Sequence, residues 1–461
     1  VQEVRQYILK GVGRMLFELF STGSMVLAVG ASYYYQHGLD NDHTKIERIA
    51  FNAGLYVTED KKKRSIRIYR KSKRDGYMEY AYKIPLGLSF ADFEAKAHKF
   101  ADGLNNRSNR EITFSKLKQL RKLDFRKDIQ KQLKNIFTEV VPTNKSIEMK
   151  YNGMLVIRVF DKRLPDHVPY EELAGNLKGW QVPVGVTLTK QIKHDFEAMP
   201  HLIVAGTTRY GKTVFLKNVV TTLIANKPDD VTFTLIDLKT GLAFNRFSKV
   251  KQVRTVALDA ETALVALQAV KQEMEEKQRK YLNAGFEDVQ EAKHKRRHFI
   301  IVDEGAELSS TGLKGDDKAT KAECERLLAH IARVGGGLGY RLVFATQYPT
   351  ADTLPRQVKQ NADARLCFRL QSEIASQVVL GEGNVGASKL PKKDGAHKGG
   401  RGIYLTDREV IVQAPYISNS YIDTVITPNI NIRPRKGDTF VPHAKKTDST
   451  GRKHTLVVEE T

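Results

Sequence analysis

One segment, HLIVAGTTRYGKTVFLKNVVTTLIA (residues 201–225), limits what the chain can fold into more than any other. An apolar run, a loop bounded by Gly206 and Gly211, and an apolar-periodic run follow in that order, which predicts strand, loop and helix. The glycines let the backbone curl so that successive N–H groups point inward at the positive end of the coming helix, the arrangement that holds phosphates. The spacing GxxxxGK[ST] makes Gly206, Thr207, Thr208, Arg209, Tyr210, Gly211, Lys212 and Thr213 the candidate nucleotide cradle. Lys212 is placed to reach the β- and γ-phosphates and Thr213 to offer its hydroxyl to Mg²⁺, so ATP and Mg²⁺ are the expected ligands. An ordinary strand-to-helix turn is the plain alternative, and the order of elements around the loop argues against it.

After Trp180 short apolar runs alternate with helical stretches: VTFTLIDLK (231–239), ALVALQAVKQEMEEKQRKYLNA (263–284), HFIIVDE (298–304), RLVFATQ (341–347), ARLCFRL (364–370) and RGIYL (401–405). This alternation predicts an α/β domain with a mainly parallel sheet covered on both sides, over residues 179–427. Within it FIIVDEGAEL places Asp303 and Glu304 at the end of a buried strand, about 90 residues beyond the loop. Asp303 is a candidate Mg²⁺ ligand alongside Thr213, and Glu304 the candidate general base for an attacking water. Gln347, at the end of YRLVFATQ, is a candidate sensor of the γ-phosphate. Solvent-facing strand ends are the bland reading of all three.

HLIVAGTTRYGKT, LIDLKTG, HFIIVDEGAEL and GYRLVFATQYPTADTLPRQVKQNADARLCFRL, in this order and spacing, resemble the motor domain of the FtsK/SpoIIIE family of DNA-pumping ATPases over about residues 180–420. The resemblance implies a RecA-like P-loop NTPase fold, assembly into a homo-oligomeric ring, expected to be a hexamer, and movement of double-stranded DNA without sequence preference. It also implies an arginine acting on the neighbouring subunit's ATP site, where positive charge stabilises developing phosphoryl charge. Arg279 matches that place best, ahead of Arg333 and Arg341, with surface salt-bridging as the alternative for each. Arg209 and Tyr210 depart from the small residues usual in the loop; Tyr210 could stack near nucleotide. LIDLK replaces an Asp-Pro-Lys arrangement while keeping Asp237 and Lys239. Nothing after residue 428 resembles the winged-helix module of the chromosome-segregating members.

Charge enters the argument at this point. The chain carries 75 Lys and Arg against 53 Asp and Glu, a net +22, which favours a polyanionic partner. In the segment 381–402 Lys389, Lys392, Lys393, Lys398 and Arg401 stand among glycines, so a DNA-contacting channel loop is expected there, with a solvated flexible loop as the alternative. The segment 309–321 is a weaker candidate, since it carries two aspartates. The basic stretch before the motor, 41–178, reads as a small α+β domain with a hairpin around residues 74–76, and nine of its residues from Lys61 to Arg74 are Lys or Arg. Residues 1–40 hold a borderline membrane segment at 15–35, and 428–461 reads as a flexible basic tail. Cys324 and Cys367 have no metal or disulfide spacing.

A short chain of this kind, with one motor and a possible amino-terminal anchor, is similar to the coupling ATPases of Gram-positive conjugative elements, which implies the cytoplasmic face of the bacterial membrane, a relaxase and a transfer channel as partners. The alternatives are a cytoplasmic partition or packaging motor, a protein-export ATPase of the type VII kind, and a non-translocating DNA-binding switch.

Overall fold

The computed structural model describes residues 42–105, 145–239, 241–393 and 399–430. The candidate membrane segment 15–35, Lys398 and the tail from 431 onward lie outside the described residues. The chain divides into two compact units, Val1–Arg163 and Leu164–Thr461.

In the first unit strands β3 (Arg67–Arg74), β4 (Tyr77–Lys83), β5 (Ser146–Tyr151) and β6 (Leu155–Phe160) form an antiparallel sheet in the order β3-β4-β6-β5, and β1 (Tyr56–Glu59) pairs with β2 (Lys62–Ser65). The hairpin expected around residues 74–76 is β3–β4, with Arg74 opposite Tyr77 and Gly76 in the left-handed region at φ +79°. Helices α1 (Asp42–Asn52), α2 (Phe90–Glu94) and α3 (Ala97–Leu104) supply Ile46, Phe93 and Phe100 to a core that alternate strand residues Tyr80, Tyr82, Leu155 and Ile157 complete. The exposed lysines and arginines of β3 lie on an edge strand, where charge discourages pairing with another sheet.

The second unit is built on a ten-stranded sheet. Its parallel part comprises β9 (Leu202–Ala205), β10 (Val231–Asp237), β11 (Val253–Ala257), β12 (Arg297–Asp303), β13 (Tyr340–Thr346) and β14 (Ala364–Phe368), ordered β11-β10-β12-β13-β9-β14. Four antiparallel strands extend it: β15 (Arg401–Leu405), β16 (Glu409–Gln413), β7 (Gln181–Val186) and β8 (Gln191–Asp195). The central strands read as unbroken apolar runs because both faces are covered. Along β12, Phe299 and Ile301 face the core under helix α4 (Lys212–Asn226), while Ile300 and Val302 face α5 (Ala260–Ala284) and α6 (Gly315–Leu338). The mainly parallel α/β sheet is therefore as expected, with RGIYL entering it antiparallel. Residues 164–178, placed with the smaller domain in the sequence reading, pack in this unit: Tyr170 is buried, its Oη lies 2.7 Å from Thr222 Oγ1, and its N–H donates to the Tyr416 carbonyl at 2.9 Å.

Candidate nucleotide site

The loop after β9 is shaped by what its glycines touch. A Cβ on Gly206 would lie 2.7 Å from Phe368 Cβ, and Gly211 holds φ +120° with Phe368 and Gly400 against it. The Gly206 and Thr207 N–H groups donate to the carbonyls of Thr346 and Arg369, at 3.2 and 3.0 Å, which ties the loop to the ends of two neighbouring strands. Lys212 then opens α4. In front of the loop lies a cavity of about 590 Å³ whose walls include Thr207, Thr208, Arg209, Lys212, Thr213 and Gln347. His167 and Tyr416 also line it, their rings tilted against each other with centroids 5.5 Å apart, and offer aromatic surface to a base. A cavity of this volume accommodates a nucleoside triphosphate.

Behind Lys212 stand the two carboxylates. Its ammonium is bonded directly to Asp303 Oδ1 and lies 3.5 Å from Glu304 Oε2, with all three side chains buried. Burial pushes the Asp303 carboxyl up; Lys212 opposes that rise, and nearby Asp237 and Glu304 add to it. Glu304 sits in the left-handed region at φ +70°, unusual for a residue with a side chain. Its Oε1 is held there by Thr346 Oγ1 at 3.1 Å and by the Gln347 N–H at 2.9 Å. Gln347 in turn accepts at Oε1 from Thr208 Oγ1 at 2.6 Å and from Lys239 Nζ at 2.7 Å. Lys239 was left out of the candidate site in the sequence reading; the strand-end position of LIDLK was the available signal. Asp237 points instead at the following turn, accepting the Ala243 N–H at 2.7 Å.

Mg²⁺ takes one or two protein oxygens alongside phosphate oxygens and water. Thr213 lines the cavity while Asp303 is bonded to Lys212, and among the described residues no group of three or more His, Cys, Asp and Glu could hold a metal unaided.

Several expected roles meet a different geometry. Tyr210 does not line the cavity; its ring packs against the core and its Oη accepts the Lys393 N–H at 3.2 Å. Lys393, expected to contact DNA, lines the nucleotide cavity. Arg401, also expected in the DNA loop, is largely buried: its guanidinium pairs with Asp166 at 3.0 Å and donates to Gln413 Oε1 at 2.9 Å and to the carbonyls of Leu164 and Pro165. The position is fixed because it begins a strand between two partners. Lys389, on a short helical turn, and Lys392 are exposed. Arg341 is 1% exposed and bound to Glu197, so it cannot reach a neighbouring subunit, whereas Arg279 and Arg333 are exposed on α5 and α6.

Residues 180–300 match the FtsK/SpoIIIE family. The DNA translocase FtsK of Chlorobaculum tepidum is 26% identical over 304 residues, 61% of this chain and 35% of its own length. That of Helicobacter pylori strain J99 is 32% identical over 197 residues, 40% of this chain and 22% of its own length. The chain thus spans about a third or less of these relatives. The fold likeness extends beyond residues 180–300: the conjugation coupling protein TcpA of pCW3, solved as a monomer with ATPγS, superposes with a TM-score of 0.54 at 19% identity, covering 84% of this chain and 99% of that one.

Proposed function

We propose that this chain is an ATP-driven DNA translocase that works as a homo-oligomeric ring and feeds DNA during conjugative transfer. What carries the reading is the meeting of Lys212, Asp303, Glu304 and Gln347 just beyond the carboxyl ends of three neighbouring parallel strands, where Lys212 and Gln347 line a cavity fit for a triphosphate. Translatory work needs hydrolysis, and this set holds a base as well as a cradle. The translocase relatives support DNA as the substrate, and the TcpA likeness supports the conjugative setting.

In this mechanism Lys212 exchanges partners. Nucleotide draws its ammonium to the phosphates and releases the two carboxylates. Glu304, already oriented by Thr346 and the Gln347 N–H, accepts the proton of the attacking water at Oε2, the oxygen that faces Lys212 in the nucleotide-free arrangement. Thr213 and Asp303 would hold Mg²⁺, which when bound would supply charge neutralisation for the polyphosphate. Gln347, bonded to both Thr208 and Lys239, transmits the state of the phosphate loop to the end of β10. Arg279 completes the neighbour's site, and the ring is a hexamer. Lys389 and Lys392 contact DNA phosphates, and binding is accordingly salt-dependent. A relaxase and a membrane channel are the partners at the cytoplasmic face of the cell membrane; among the described residues no helix is long and apolar enough to cross a membrane.

Steady-state ATP hydrolysis by the full chain, with no DNA, duplex DNA or single-stranded DNA, tests the reading. Stimulation by duplex that fades with salt and is lost in Lys212→Ala is the expected result. Equal hydrolysis with and without either DNA, in assembled rings, would overturn it.

A further inference from the structure

Three cationic side chains line the nucleotide cavity, and only Lys212 belongs to the phosphate-loop signature. It is engaged by Asp303 and Glu304. The other two, Arg209 and Lys393, have no carboxylate within ion-pair distance among the described residues. They come from segments far apart in sequence that are fastened together. The Lys393 N–H donates to Tyr210 Oη at 3.2 Å, and the Gly400 N–H donates to the Tyr210 carbonyl at 2.9 Å. Gly399 at φ +95° leaves only 3.2 Å between a Cβ position and the Arg209 carbonyl, and its own carbonyl accepts from Gln413 Nε2 at 2.8 Å. Tyr210 is thus a post to which the β14–β15 connection is tied on both sides.

The backbone of Arg209 adds a separate observation. It holds φ +72°, a left-handed conformation that disfavours any residue with a β-carbon. Strain of this kind at a ligand cradle points to a use for the side chain. A nucleoside triphosphate brings about four negative charges, and one lysine with one divalent cation leaves about one of them unanswered and most phosphate oxygens without a charged partner.

We propose that Arg209 and Lys393 form a second cationic clamp on the nucleotide polyphosphate, one arm from the phosphate loop and one from the β14–β15 connection, with Tyr210 setting the position of the second arm. The inference rests on the reading of the cavity as an ATP site. It moves Lys393 from the DNA-contacting set to the nucleotide site, and it makes the connection that bears Lys389 and Lys392 answer directly to nucleotide occupancy.

Calorimetric titration of ATPγS and ADP into the full-length protein tests this, with salt-dependent anisotropy of a labelled duplex measured on the same variants. Lys393→Gln and Arg209→Gly should each weaken ATPγS binding roughly tenfold, the effect of one charge-assisted contact. Tyr210→Phe, which keeps the ring and loses the Oη acceptor, should weaken it several-fold. Lys392→Gln, whose side chain does not line the cavity, should leave nucleotide affinity unchanged, and Lys393→Gln should leave the salt slope of DNA binding unchanged. An unaltered ATPγS affinity in Lys393→Gln overturns the clamp, and a reduced DNA salt slope in that variant would return Lys393 to the DNA surface. If the unsubstituted protein and Lys212→Ala bind ATPγS equally, the ATP-site reading itself falls, a result distinct from failure of the clamp alone.

Discussion

Strand β12 begins with Arg297 and ends with Asp303, and buried charge gathers at both ends on different terms. At the amino end Glu197 Oε1 and Oε2 accept from Arg297 at 2.7 and 2.9 Å, and Oε1 also accepts from Arg341 at 3.0 Å. Arg341 donates further to the carbonyls of Gly336 and Tyr340 at 2.8 and 3.2 Å. None of these residues lines the nucleotide cavity. At the carboxyl end one ammonium serves two carboxylates beside a cavity, one carboxylate is on a left-handed backbone, and the ammonium stands at the end of a loop that can take a ligand. The contrast separates buried charge as architecture from buried charge that is exchangeable. Removing a charge from the first should cost stability; removing one from the second should cost chemistry.

Glu304→Gln is the sharpest way to break that distinction. The amide keeps the size of the side chain and an oxygen to accept the Gln347 N–H, but it cannot take a proton from water. Turnover should fall about a thousandfold, within the range for losing a general base, while ATPγS affinity stays within a few-fold and thermal stability holds. Loss of fold instead of turnover would place Glu304 with the architectural charges.

Glu197→Ala is the converse. It leaves two buried guanidiniums facing each other, and removal of one partner from a buried ionic group costs about 3 kcal/mol, at the low end of the usual range because Glu197 is 25% exposed. Urea unfolding checks this, and turnover per folded molecule should be unchanged.

How far these two ends were legible in the sequence follows from what each residue depends on. Asp303 and Gln347 sit where an apolar strand stops and Lys212 opens the helix after the loop that follows one, and an unbroken apolar run of that length is recognisable without knowing its neighbours. Glu197, Arg297 and Arg341 flank similar runs on their amino side, but which of three strand starts meet is decided by the sheet order β12-β13-β9, a non-local fact. Arg401 misleads for the same reason: it follows two glycines in a basic stretch, and only the return of residues 164–166 buries it. Lys393 and Tyr210 are 183 positions apart, so neither the tie between them nor the lysine's place in the cavity has a local signal. The antiparallel half of the sheet was missed because short strands such as RGIYL carry no mark of direction.

Arg209→Gly sharpens the comparison from the carboxyl end. If the strained phosphate loop holds a side chain for ligand use, glycine should relieve the backbone at φ +72° and stabilise the nucleotide-free protein by about 0.5–1 kcal/mol, net of glycine's greater unfolded-state entropy. The same variant should gain less stability from saturating ATPγS than the unsubstituted chain. A Tm that drops in the nucleotide-free protein would show that the arginine is architectural after all.

The smallest effect comes from Lys277, the cation of the amino end that lacks a carboxylate of its own. Its Nζ rests over the rings of Tyr281 and Tyr340, at 5.7 and 5.6 Å, with Glu273 nearby. Burial first, and then Arg297 and Arg341, push its ammonium down to about 8. In the unfolded chain it titrates near 10.4. Between about pH 8 and pH 10 this lysine therefore binds more protons in the unfolded state than in the native state, a contribution that makes native stability rise with pH, against the opposite contribution of the buried thiols of Cys324 and Cys367, which burial raises. Above about pH 10 burial of Tyr340, which raises its phenol, reverses the trend, since the unfolded tyrosine loses its proton first. Lys277 is only half-buried, so solvent screening keeps the expected rise below about 1 kcal/mol. Lys277→Met should abolish the rise while keeping the aliphatic contact with both rings. Urea unfolding at pH 7.5, 8.5 and 9.5 (roughly one pH unit apart, bracketing the native titration) reads the slope in both proteins, and the difference between them isolates Lys277 from the buried thiols; the same slope in both would mean that Glu273 neutralises Lys277 and that the amino end carries no uncompensated charge.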